Sequence, residues 1–319
     1  MTHFDLPLAA LREHRSATTV PDDFDEFWES TLEGVRAAHG ETYAKSVDNG
    51  LALVTTKDVT FSGFAGDPIS AWYHRPTDRE PTAVVVEFLG YSGGRGLAHA
   101  VPEWVMAGYG HLLVDTRGQG FAQAHPGATV DPHGSDSAAP GYMTQGIRSP
   151  ETYYYRRVFS DAARAVDVGR ELAPGVPVFV AGISQGGGIA IAAAALGADV
   201  AGALIDVPFL CDFERATSMT DRAPYAEIVT YLKAHRDRID DTFRTLRYFD
   251  GVNLATRADV PTLFSVALMD MTCPPSTVFG AYNAWAGDDK SIEVYPYNDH
   301  EGGGPFQRRA QLDWLRERI

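Results

Sequence analysis

In Gly182-Ile183-Ser184-Gln185-Gly186 a serine stands with glycine two residues before it and two after it, a spacing that suits a nucleophile. The run before it, Pro177-Val178-Phe179-Val180-Ala181, is apolar and of strand type, and Gly187 to Ala195 reads as a helix of small residues. A serine at such a strand-to-helix turn is a nucleophile elbow. The tight turn strains the serine backbone, the glycines remove side chains that would collide, and the hydroxyl is held out at the top of a sheet. By composition alone, Gly-x-Ser-x-Gly arises by chance about 0.15 times in such a chain, so the motif needs partners before it means anything.

A serine hydroxyl is a weak nucleophile without a base, and the base needs a carboxylate to orient it. On α/β-hydrolase folds these come in the order Ser, acid, His. His300 lies after the last expected strand and before a C-terminal helix, and Asp270 closes the run Thr262–Leu268 just before Cys273-Pro274-Pro275. A lone loop histidine is more often a surface residue, and a strand-end aspartate more often caps a helix. What favours Ser184, Asp270 and His300 as catalytic residues is that elbow, order and strand-end placement agree. Asp206 also ends an expected strand and is the second choice for the acid. Asp299 adjoins His300, but neighbouring side chains in a turn diverge; Asp288 and Asp289 read as solvated loop charges.

The oxyanion of an acyl transfer needs hydrogen-bond donors. The N–H of Gln185, the residue after the nucleophile, is the first expected donor. The second is the N–H of Tyr91, in the loop Phe88-Leu89-Gly90-Tyr91-Ser92-Gly93-Gly94. The segment Asp115-Thr116-Arg117-Gly118-Gln119-Gly120 lacks the spaced Gly-Lys-Ser/Thr of a nucleotide loop, so Arg117 is expected to pin neighbouring loops instead. No histidine comes after His300-Glu301 at metalloprotease spacing, and no set of metal ligands clusters in the sequence. Neither a metal nor another cofactor is expected. Cys273 falls near the acid, where packing is its simplest role.

These residues need a scaffold. Positions Phe24, Phe27, Trp28, Leu32 and Val35 in 22–39 have helical spacing; 51–62 and 68–74 alternate like strands joined at Gly66-Asp67. That opening unit is expected beside the main sheet. From Thr82 onward, apolar runs at Ala83–Leu89, His111–Val114, Val178–Ala181, Ala201–Ile205, Thr262–Leu268 and Ser291–Tyr295 alternate with helical stretches. The alternation predicts an α/β-hydrolase fold, a mostly parallel sheet with helices on both faces, carrying an N-terminal extension. The chain is read as one domain over 1–319, with an N-terminal elaboration 1–80 and a helical insertion about 210–250 lying over the site. Residues 122–150 read as a long loop.

With 319 residues and a net charge of −15, the chain is not attracted to nucleic acid or anionic membranes. No signal peptide or membrane helix is expected, and two cysteines, Cys211 and Cys273, are too few for a disulfide framework. A cytoplasmic location is therefore expected.

Together, Gly90-Tyr91, Arg117-Gly118-Gln119, Gly182-Ile183-Ser184-Gln185-Gly186-Gly187 and His300-Glu301-Gly302-Gly303-Gly304 resemble carbohydrate esterase family seven. Its members are acetyl xylan esterases that also act as cephalosporin C deacetylases. The resemblance extends through Phe4-Asp5-Leu6-Pro7-Leu8, Asp23 to Trp28, Asp206 to Phe213 and Cys273 to Thr277. It implies Ser184, Asp270 and His300 as the triad and Tyr91 with Gln185 at the oxyanion hole, with Arg117, Gln119, Gly182 and Gly186 supporting them. It also implies a metal-free enzyme acting on small acetylated carbohydrates or cephalosporins through an acetyl-enzyme, assembled as a hexamer. Ile183 stands where the family pattern has glycine and Asp299 where it has asparagine. The rival readings are a longer-chain esterase or serine peptidase on the same fold, and a hydrolase-fold binding protein without turnover.

Overall fold

The computed structural model describes residues 3–121, 125–134 and 141–319; of the long loop expected at 122–150, residues 122–124 and 135–140 lie outside the described residues. Nine strands form one sheet: β1 (Tyr43–Val47), β2 (Val54–Ser62), β3 (Pro68–Pro76), β4 (Val84–Phe88), β5 (Gly110–Val114), β6 (Val178–Ile183), β7 (Gly202–Asp206), β8 (Thr262–Ala267) and β9 (Lys290–Tyr295). Their order is β1-β2-β3-β5-β4-β6-β7-β8-β9. Strands β4 to β9 are mutually parallel, while β1, β2 and β3 join as an antiparallel edge. The parallel strands are near-continuous apolar runs because both faces are covered. Every residue of β8 is buried.

The helices are α1 (Leu8–Glu13), α2 (Phe24–Ala37), α3 (Glu103–Met106), α4 (Tyr154–Leu172), α5 (Gln185–Leu196), α6 (Phe213–Met219), α7 (Tyr225–Ala234), α8 (Ile239–Leu246), α9 (Gly251–Ala255), α10 (Pro275–Ala284) and α11 (Pro305–Arg316). Strand side chains alternate between faces. Val84 and Val86 therefore pack with α2, α4, α5, α9 and α10 in the larger core, while Val85 packs with Trp104 of α3 and Trp314 of α11 in the smaller one. Helices α6 to α8 occupy the place where the helical insertion is expected, between β7 and β8. Asp250 anchors that segment by accepting the N–H groups of Asp212, Phe213 and Val252.

Two features differ from the sequence-based expectation. Strand β1 is almost wholly exposed, so it carries no apolar alternation that a pattern could detect. The opening unit does not lie beside the sheet but completes it, with Ala71 to His74 paired antiparallel to His111 to Val114. The physical reason is backbone satisfaction: without β3, one edge of β5 would expose unpaired N–H and C=O groups.

That seam contains two buried histidines. His74 and His111 stack with ring centroids 5.8 Å apart, and His74 Nδ1 is 2.8 Å from Thr56 Oγ1. Burial, and secondarily His111, push His74 down to about 3. A lowered histidine pKa means that, below the ordinary value of 6.5, the unfolded chain gains a proton that the folded chain refuses. Stability contributed at neutral pH is therefore lost as pH falls from that value towards the folded one. We expect His74→Asn to show a shallower loss of stability than the parent between neutral pH and about pH 4, measured by urea unfolding.

Candidate active site

Strand order β5-β4-β6 means that the chain leaves β4 on one side and returns on the other. The crevice at the carboxyl ends of β4 and β6 is the switch point where parallel sheets place ligands. The elbow sits there. Ser184 has φ 57° and ψ −119°, a conformation that L-residues rarely adopt. A Cβ on Gly182 would lie 2.2 Å from the Gly186 carbonyl, and one on Gly186 would lie 2.1 Å from the Phe88 carbonyl oxygen. The turn is held by backbone bonds from Ser184 N–H to Asp206 O (2.9 Å) and from Phe209 N–H to Ser184 O (2.9 Å). Other non-glycine residues with positive φ crowd the same region: Ser92, Val207, Leu210 and Asp212.

The fold brings Ser184, His300 and Asp270 into one chain of hydrogen bonds. His300 Nε2 is 2.9 Å from Ser184 Oγ, and His300 Nδ1 is 2.8 Å from Asp270 Oδ2. Asp270 is fully buried, and its other oxygen accepts the N–H groups of Thr272 (2.7 Å) and Cys273 (2.9 Å). Such an arrangement lets the imidazole take the serine proton while the carboxylate steadies the ring.

The other acids are engaged elsewhere. Asp206 accepts from Ser265 Oγ (3.0 Å), Gln307 Nε2 (2.8 Å) and Gln311 Nε2 (2.6 Å), and burial pushes its carboxyl up to about 6. Asp299 pairs with Arg222 at 3.1 Å and accepts the Met271 N–H. Burial alone would raise the Asp299 carboxyl; the hydrogen bonds from Arg222 and the Met271 N–H hold it below its ordinary value. Asp288 and Asp289 are exposed.

Two glutamine side chains join the loop at residues 89–92 to the elbow. Ser92 N–H donates to Gln119 Oε1 (2.7 Å), and Gln119 Nε2 donates to Gln185 Oε1 (2.9 Å). Gln185 Nε2 in turn donates to Leu89 O (3.1 Å), and the Tyr155 hydroxyl donates to Gln185 Oε1 (2.9 Å). The Tyr91 and Gln185 backbones are thus fastened to one another. Among the described residues no acceptor takes the N–H of either. Arg117, fully buried, grips Asp161 through Nε (2.6 Å) and Nη2 (2.8 Å) and reaches Asp67 (2.8 Å) and Asp131 (3.2 Å). Burial works against its charge, but these carboxylates more than compensate and hold it above its ordinary value.

Sequence reasoning missed two contributors. Tyr155 and Glu227, the latter on α7 with its carboxylate 2.8 Å from the Tyr91 hydroxyl, touch the machinery through chain separations no motif spans. Cys273, which the sequence placed near the acid, is fully buried, and its N–H donates to Asp270. The fold also clusters ligating atoms that the sequence scatters: one each of Asp270, Cys273 and His300 lie within 4.8 Å of one another. Two of these residues already face each other as the Oδ2–Nδ1 pair, so an ion there would compete with that bond.

The model of the acetyl xylan esterase family matches residues 1–318. Acetyl esterase Axe7A of Xylanibacter ruminicola is 24% identical over 322 residues, covering 95% of this chain and 68% of its own length. The acetyl xylan esterase from Paenibacillus sp. R4 superposes with TM-score 0.90 at 35% identity, covering 98% of this chain and 100% of that one. Acetyl xylan esterase 1 from Thermoanaerobacterium sp. JW/SL YS485 gives 0.87 at 32% identity, covering 97% and 99%. An acylaminoacyl peptidase of Pyrococcus horikoshii gives 0.58 at 15% identity over 84% of this chain and 41% of that one, a likeness of α/β-hydrolase fold alone.

Two variants test how the site is held. Arg117→Ala leaves Asp161 buried without its cation, while Asp131 keeps Arg157, and is expected to destabilise the fold by about 3–5 kcal/mol, read from urea unfolding. Gly186→Ala drives a methyl group into the Phe88 carbonyl. It is expected to lower the melting temperature and slow labelling of Ser184 by a fluorophosphonate; parental values for both would show that the close approach is not needed.

Proposed function

The chain belongs to the acetyl xylan esterase family of carboxylic ester hydrolases, and from that premise we propose that it removes acetyl groups from acetylated xylo-oligosaccharides and cephalosporin C through an acetyl-enzyme on Ser184. The observation that carries this reading is the continuous Asp270–His300–Ser184 relay at 2.8 and 2.9 Å. His300 Nε2 removes the hydroxyl proton as Ser184 Oγ attacks the acetyl carbonyl. The tetrahedral oxyanion is received by the N–H groups of Gln185 and Tyr91, whose relative position the Gln119–Gln185 bonds maintain. His300 then protonates the departing sugar or cephem alcohol. Water deprotonated by His300 attacks the acetyl-enzyme, acetate leaves, and Ser184 regains its proton. Asp270 keeps the Nδ1 proton on its own side of the ring throughout, so that Nε2 faces the reaction. No step calls for a metal or other cofactor.

A hexameric assembly and a cytoplasmic location belong to the same proposal; the first rests on the family resemblance and the second on the chain's two-cysteine composition. Among the described residues no helix is long and apolar enough to cross a membrane.

The test is hydrolysis of p-nitrophenyl acetate, butyrate and octanoate. Turnover should fall steeply with acyl length, and Ser184→Ala should reduce acetate turnover by about a thousandfold or more while the circular dichroism spectrum is unchanged. A preference for octanoate would discard the deacetylase, and activity surviving in the alanine variant would remove Ser184 from the mechanism. Acetylated xylo-oligosaccharides and cephalosporin C then decide the natural alcohol.

A further inference from the structure

Glu227 places a carboxylate against the oxyanion loop from outside the parallel sheet. Its two oxygens lie 2.8 and 2.9 Å from the hydroxyl of Tyr91, and one of them also accepts the Met143 N–H at 3.2 Å. The same Tyr91 hydroxyl oxygen accepts N–H groups from Gly141 (3.3 Å) and Tyr142 (3.0 Å). With its lone pairs taken by two donors, the phenol can satisfy its one hydrogen only by donating it, and a carboxylate is the residue type that can do nothing but accept. The ring between these contacts is packed edge-on by Tyr142 and Phe209, at centroid distances of 5.5 and 6.3 Å. Both ends of the Tyr91 side chain are therefore fixed.

The loop itself needs such an anchor. Three of its residues, Gly90, Gly93 and Gly94, have no side chain to hold, and Ser92 is tied through its N–H to Gln119. The Gly90 carbonyl accepts the Gly93 N–H at 3.0 Å, so the peptide plane carrying the Tyr91 N–H is set on one side by that turn. On the other side it is set by where the Tyr91 side chain is held. We propose that Glu227 is a positioning residue for the esterase reaction, clamping the Tyr91 side chain from α7 so that the Tyr91 N–H stays aimed at the developing oxyanion. This rests on the reading of the Tyr91 N–H as an oxyanion donor. Glutamine cannot replace the carboxylate without loss. If its oxygen takes the phenol, its amide group meets the Met143 N–H, donor against donor; turned over, it meets a phenol oxygen whose lone pairs are occupied.

The experiment is a double-mutant cycle on p-nitrophenyl acetate with Glu227→Gln, Tyr91→Phe and the pair, alongside Ser184→Ala and thermal melting of each protein. Tyr91→Phe keeps the ring packing and removes only the hydroxyl, so it tests the clamp even where Glu227→Gln is poorly folded. Each single change is expected to lower kcat about 10- to 100-fold with KM within about threefold of the parent, as a misaimed donor should. The double variant should fall no more than about threefold below the worse single, because both remove one contact. Unchanged kcat in the singles, a rise in KM alone, or a double effect equal to the product of the two would overturn the clamp. In those cases parental turnover with an inactive Ser184→Ala leaves the esterase reading standing. A parental protein that does not turn over acetate would overturn both.

Discussion

The constraint from which the site is built is the approach of helix α5 to the end of strand β4. No side chain fits at Gly182 or Gly186, because the backbone of one meets the backbone of the other and the Phe88 carbonyl lies just beyond. That contact forces Ser184 to a positive φ, a conformation costing on the order of 1–3 kcal/mol. The packing of α5 sustains that cost. Ile189 to Ala193 are almost completely buried among β4, β6 and α4, so α5 cannot back away to relax the serine. Strain at Ser184 is thus a consequence of a well-packed helix behind it.

From that contact the rest of the site is built outward by polar side chains that cross between loops. Gln119 and Gln185 lace the end of β4 to the start of α5, and Arg117 draws the turn at Asp67, the segment at Asp131 and helix α4 onto the same corner. These are buried groups, and their order matters because an unsatisfied partner in such surroundings is expensive. The same logic separates the two strand-end aspartates. Asp206 is surrounded by Ser265, Gln307 and Gln311 and supplies the elbow only with its backbone carbonyl, whereas Asp270 has one oxygen occupied by backbone N–H groups and the other presented to His300.

The helices between β7 and β8 reach the site at two places. Arg222 pairs with Asp299, the neighbour of His300, and Glu227 meets Tyr91. The segments carrying His300 and Tyr91 are therefore each touched by groups from distant parts of the chain. The antiparallel edge contributes differently: it closes the free side of β5 and buries His74 and His111 in doing so.

Much of this was legible in the chain itself. Local chemistry writes the elbow, since only glycine tolerates the positions beside it, and period-two and continuous apolar runs write the parallel strands. The positions of Asp270 and His300 at strand ends come from the same alternation, and their pairing with Ser184 was expected from the elbow, the order and those strand ends together. The exposed strand β1 left no such mark, because polar residues facing water on both sides carry no periodicity. Nor could the sequence choose decisively between Asp206 and Asp270: both end strands, and only the side chains that gather around each carboxylate separate them. The partners of Tyr91 were likewise invisible, as Glu227 lies 136 residues away. Short-range steric rules act between neighbours and can be read along the chain. Hydrogen bonds between distant segments depend on where the folded sheet and helices deliver their side chains, and that is decided only in three dimensions.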